Sequence, residues 1–178
     1  SAKKMFEDGN YILALNEYEL LLKTDSTNKE WLHHLAVCYL NTNGDKSRSV
    51  PLLEKLLLDV NVKSINYYLM GRAYHYDYNF SSAIDQFKMF LRTNPINKEL
   101  VNSANEHIEY CTNAKELMKY PVDISFENLG KNINSSFDDY YPFVNNDESY
   151  IQFNSKRNDF SVEESSGQFK SNVYVSNV

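Results

Sequence analysis

YYLMGRAYHYDYNFSSAIDQFKMFLRTNP, residues 67–95, reads as two helices around a tight turn. Tyr67, Met70, Gly71 and Tyr74 recur at helical spacing, as do Ala83, Ile84, Phe87 and Phe90, and Tyr78 falls between the two sets. Pro95 ends the second helix because it has no N–H to give to the ladder. The same pattern stands twice more on its N-terminal side. When stretches beginning at Met5, Tyr39 and Tyr74 are aligned, Gly9, Gly44 and Tyr78 share the turn. Ala14, Ser49 and Ala83 share one column, followed by Leu15, Val50 and Ile84, then Tyr18, Leu53 and Phe87, then Leu21, Leu56 and Phe90. The offsets from Ala14 to Ser49 and from Ser49 to Ala83 are 35 and 34 residues. The second copy carries one extra residue near Asn43 and has Pro51 within its second helix, so a late start or a kink is expected there.

A period of this length, with small residues where helices cross and large ones between, resembles the tetratricopeptide repeat (TPR). On that resemblance the chain is mainly α: a TPR helical solenoid of between two and a half and three repeats over residues 1–119. Lys98 to Met118 then carries a single apolar stripe, Leu100, Val101, Ala104, Ile108, Cys111, Ala114 and Met118, and reads as the helix capping the last repeat. Ser1 falls within a helix of the first copy, so the chain reads as an N-terminal fragment that lacks its true start.

Tyr120-Pro121 closes the helical part, and residues 120–178 turn β-like. Three strands are expected: Val122 to Phe126, Tyr150 to Phe153 and Phe169 to Val175. A polar flexible loop is expected between Asn158 and Gln168. The string Glu127-Asn128-Leu129-Gly130, Ile133-Asn134-Ser135, Asp138-Asp139-Tyr140-Tyr141-Pro142 and Ile151-Gln152-Phe153-Asn154-Ser155-Lys156-Arg157 resembles the blade motifs of bacterial WD40-like, TolB-type β-propellers. It departs from them where Asn146-Asp147-Glu148 replaces the common Pro-Asp-Gly turn. The resemblance makes this part the first strands of a propeller, in an incomplete first blade, since a closed propeller takes four or more blades. It also gives Asp138 and Asp139 a structural role, tying a loop to the blade.

TPR repeats directly before such a propeller resemble envelope lipoproteins of Bacteroidota that end in an OmpA-like domain. Among these are PorE-type accessory components of the type IX secretion and gliding machinery. The resemblance implies a periplasmic, outer-membrane-associated scaffold with no catalytic role, which binds other envelope proteins such as an outer-membrane barrel or a secretion component. Peptidoglycan would be held through a domain outside this chain, and the membrane through a lipid anchor outside it. Two alternatives stay open: a general peptidoglycan-associated adaptor, and the regulatory part of a larger hydrolase. A cytoplasmic TPR adaptor is a further one.

Composition narrows the partners. The chain has 178 residues and a formal charge of −6, and its Lys and Arg are scattered, which argues against nucleic acid. Chemistry is sparse: adjacent His33 and His34 diverge on a helix, and His75 and His107 have no Cys or carboxylate at ligand spacing. Cys38 and Cys111 read as buried thiols, and five glycines form no phosphate cradle. No catalytic residue, metal site or cofactor is expected. In TPR arrays the first helices line a groove, which places His33, Val37 and Asn41 there from the second copy and Tyr68, Arg72, His75 and Tyr76 from the third. The other reading of these residues is packing against the capping helix. His33 and Val37 stand where chaperone-type repeats carry the Lys/Asn clamp for a terminal carboxylate, so that mode of recognition is not expected.

Overall fold

A computed structural model describes residues 1–158 and 170–177. The chain is mainly helical and divides into two compact units, Ser1–Val122 and Asp123–Val178. The first holds seven α-helices: α1 (Ala2–Glu7), α2 (Tyr11–Thr24), α3 (Lys29–Asn41), α4 (Val50–Leu57), α5 (Ser64–Tyr76), α6 (Phe80–Arg92) and α7 (Lys98–Leu117). Each packs on the next in sequence, and α3 also meets α5, as α5 meets α7. None of the described helices is long and apolar enough to cross a membrane.

The aligned columns occupy equivalent environments. Ala14, Ser49 and Ala83 are fully buried, and Tyr18, Leu53 and Phe87 are 2%, 0% and 0% exposed. Leu15, Val50 and Ile84 are all half-buried. The small column lets two helices approach, and the large one fills the space beside the crossing. Gly71 shows how close the approach is, since a Cβ added there would lie 2.7 Å from the Phe87 ring.

The turns of the first and third copies are built alike. Gly9 and Tyr78 both take left-handed backbone, at φ 77° and 58°. In each turn the next residue's N–H reaches back over the turn, Asn10 to the Met5 carbonyl and Asn79 to the Tyr74 carbonyl. This is the Schellman closure of a helix end, which glycine adopts freely and tyrosine at a cost. The second copy differs because of its extra residue. Asp45 there caps a 3-10 turn, Lys46–Ser49, and α4 starts late with Pro51 in its first turn, where the missing N–H costs nothing.

The second unit is a three-stranded antiparallel sheet in the order β1 (Asp139–Val144), β2 (Tyr150–Ser155), β3 (Asn172–Asn177). One expected strand needs correction, and one strand was not expected. Residues 121–130 form no strand, and Val122 and Phe126 are 77% and 92% exposed, so the alternation there meets no pairing edge. The sequence reading instead missed β1, whose Pro142 argues against a strand. Pro142 is accommodated because β1 is an edge strand with an irregular register between Tyr140 and Phe143 and with Tyr141 at φ 55°. The expected start of the last strand, Phe169, and the expected loop from 159 to 168 lie outside the described residues.

Arg157 and Asp139 brace this sheet. Their side chains are 13% and 14% exposed and lie 3.1 Å apart. Asp139 also accepts from the Ser135 N–H at 2.5 Å and from its hydroxyl at 3.1 Å. The Arg157 guanidinium donates to the Asn132 and Ile133 carbonyls, both at 2.9 Å, and lies over Phe153 and Tyr174. Burial works to raise the Asp139 pKa, but hydrogen bonds from Ser155, Ser135 and Arg157 outweigh it and hold the carboxyl below its usual range.

Candidate functional site: the face of α3, α5 and α7

The seven residues expected in a groove all lie on α3 and α5, but they do not gather at one point. His33 and Asn41 stand eight residues apart on α3, about 12 Å along the axis. At the near end, His33 Nδ1 lies 2.9 Å from Asn66 Oδ1. This pair borders a cavity of about 250 Å³ shared with Lys29, Glu30 and Lys63. Burial depresses the His33 pKa, partly offset by the Asn66 bond and helped by the charge of Lys63, so the ring is neutral at pH 7.

Tyr68 belongs to the core. It is 7% exposed, its ring packs against Phe87 and Phe90, and its hydroxyl lies 2.9 Å from Ser103 Oγ on α7. For this residue, packing against the last helix is the arrangement observed, and it is not open to a partner. Val37 is half-buried against the same core.

At the far end, Arg72 Nη2 lies 3.3 Å from the Leu40 carbonyl and 3.5 Å from Asn41 Oδ1. Asn41 turns its amide onto its own helix, donating to the Val37 carbonyl at 2.8 Å. Tyr76 is 46% exposed, and the Lys46 ammonium sits 5.0 Å above its ring. His75 meets His107 of α7 through Nδ1 atoms 3.0 Å apart. One ring must therefore donate and the other accept, which requires opposite tautomers. His107 also stacks on Phe87 at 5.1 Å. Burial, then the charges of His75 and Arg72, push its pKa down to about 4. Burial also lowers that of His75.

The sequence reading put none of Lys46, Asn66, Ser103 and His107 on this face, although for the last three the signal was present. The cross-helix partners His33–Asn66, Tyr68–Ser103, His75–His107 and Arg72–Leu40 are separated by 33, 35, 32 and 32 residues. On α3, α5 and α7 a polar side chain thus finds its partner 32 to 35 residues along the chain, close to the spacing of the aligned columns. Among the described residues no group of three or more His, Cys, Asp and Glu side chains could hold a metal ion. Cys38 and Cys111 are buried free thiols, and burial raises both pKa values, to about 12 for Cys38. What the face offers is therefore hydrogen-bond donors, an arginine and an exposed aromatic ring, the equipment of recognition. No protein-family model and no curated protein matches this chain.

Proposed function

We propose that residues 1–119 form a TPR solenoid that binds protein partners on the face of α3, α5 and α7, and that residues 120–178 begin a β-propeller. The observation that carries the first part is the recurrence of burial with the sequence period: the small column is fully enclosed in all three copies. The stepwise packing of each helix on the next, with α3 on α5 and α5 on α7, supports the same reading. The antiparallel sheet and the Asp139–Arg157 brace, built from the residues of the blade-like string, support the second.

With the resemblance to Bacteroidota envelope lipoproteins, the reading is a non-catalytic, outer-membrane-associated periplasmic scaffold that links a secretion or gliding component to the cell wall. The test is a pull-down from envelope membranes with the tagged protein and an Arg72→Ala/Tyr76→Ala variant, leaving Tyr68 intact because it is core. An outer-membrane barrel or secretion component identified with the wild type and lost from the folded variant is the expected result. Capture of no envelope protein by the wild type would overturn the scaffold reading. Capture unchanged in the variant would move the working surface away from this face.

A further inference from the structure

Most cations of the helical unit are exposed, and several are paired: Lys3 with Glu30, Lys29 with Asp59, Arg48 with Glu19 and Lys119 with Glu116. Among the described Lys and Arg side chains of this unit, only Lys46 and Arg72 are half-buried, and neither has a carboxylate within ion-pair distance. They meet at the same place, the last turn of α3. Arg72 uses one terminal nitrogen on the Leu40 carbonyl and Asn41 Oδ1, and Lys46 donates to the Thr42 carbonyl. A helix C-terminus presents about half a negative charge, so it neutralises only part of two whole positive ones. Half-burying charge without a full counter-charge is costly. Asp45, next in sequence to Lys46, is turned to the Ser47 N–H and hydroxyl and does not supply it.

We propose that this end of the face receives an acidic, extended segment of a protein partner, with a carboxylate side chain taken up between Arg72 and Lys46. The proposal rests on the reading of the face as a protein-binding surface and names the chemistry of what binds. In a chain of net charge −6, these are two cations at one place with no carboxylate paired to either. The part of the guanidinium fork not engaged on α3 suits bidentate carboxylate binding, which a lone ammonium cannot provide. Tyr76, half-exposed beneath Lys46, gives the segment an aromatic floor. Asp45 and Asp77, next to Lys46 and Tyr76 in sequence, are both exposed to solvent, where their charge is screened more than that of a half-buried pair.

The experiment is fluorescence anisotropy with the full chain, a labelled Glu/Ser peptide and its Gln/Ser counterpart at two salt concentrations. The wild type is expected to bind the Glu peptide about tenfold more tightly, more so at low salt. A Lys46→Gln/Arg72→Gln variant, which keeps donors for the α3 carbonyls, is expected to lose that preference at an unchanged melting temperature. Should it melt lower, Lys46→Met alone decides, because its chain still packs on Tyr76; it should weaken the Glu peptide and leave the Gln peptide unchanged. Equal affinity for the two peptides, or a preference that survives the substitutions, overturns the proposal. So does a single-stranded oligonucleotide that binds as tightly through the same two residues. Failure here with a successful membrane pull-down would leave the scaffold reading standing, and the reverse outcome would leave the acidic site standing without it.

Discussion

Gly71 shows how much one residue decides. In the interior of a helix, alanine is favoured over glycine by about 1 kcal/mol, so Gly71→Ala on an isolated α5 would stabilise it. In the folded unit the new methyl would lie 2.7 Å from Phe87, a ring with no exposure, held by Tyr68 on one side and His107 on the other. Overpacking of this kind costs roughly 1–3 kcal/mol, and because the ring has nowhere to go, the clash should win. We expect Gly71→Ala to lower stability by about 1 kcal/mol in denaturant unfolding. Phe87→Leu in that background should cost less than it does alone, because the two changes couple. A Gly71→Ala protein that unfolds at higher denaturant would show that α5 and α6 do not approach this closely. The sequence made Gly71 legible as part of a motif, but not its contact: periodicity says which face is buried, never the distance to the neighbour.

Among elements, the sheet of the second unit is braced by two neighbouring ion pairs, Asp139–Arg157 and the more exposed Asp138–Lys156. Three short strands are marginal by themselves, and the Asp139–Arg157 pair joins β1 to the 132–135 segment and to the second residue beyond β2. Asp139→Asn would leave the guanidinium buried without its partner, at a cost of about 3 kcal/mol. Faster amide exchange throughout β2 is the expected outcome, with the helices keeping their protection. Unchanged exchange in β2 would show that the backbone carbonyls suffice for Arg157. Because the Asp139 pKa is depressed on folding, its contribution is present above the ordinary value of 3.8 and is lost as pH falls through the lower folded value. The blade-like string pointed to this aspartate, but the strand it begins was unreadable. Tyr141-Pro142 breaks the period-two pattern, and only an edge position with an irregular register tolerates that break. Val122 to Phe126 failed in the opposite way, alternating correctly with no strand beside it. Strand patterns state a capacity to pair, and pairing needs a second segment that local sequence does not name.

Across the whole chain, helices were far more legible than strands because their hydrogen bonds are internal and their spacing repeats, whereas polar contacts between helices had to await the fold. The histidines show the consequence. All four lie in the helical unit, and each makes a hydrogen bond from one helix to another: His34 to Tyr18 of α2 at 2.8 Å, His33 to Asn66 of α5, and His75 to His107 of α7. Burial is the first cause of a lowered pKa in every case, with His107 brought to about 4. Nearby charges divide: Glu30 favours protonation of His34, whereas Lys3, Lys63 and Arg72 oppose it at their neighbouring rings. The folded state thus binds fewer protons than the unfolded chain between the ordinary histidine value of 6.5 and the depressed ones. The histidine contribution to stability is therefore full above pH 6.5 and is lost as the pH falls from there towards 4. Thermal melts followed by far-UV circular dichroism should fall steadily across that window, and the part above about pH 5.5 lies clear of most carboxylate titration. A His107→Asn variant, with one such group removed, should melt lower at neutral pH and decline less steeply. A melting temperature flat across the window would mean that these rings take up protons in place, and that the joints between helices do not depend on their neutrality.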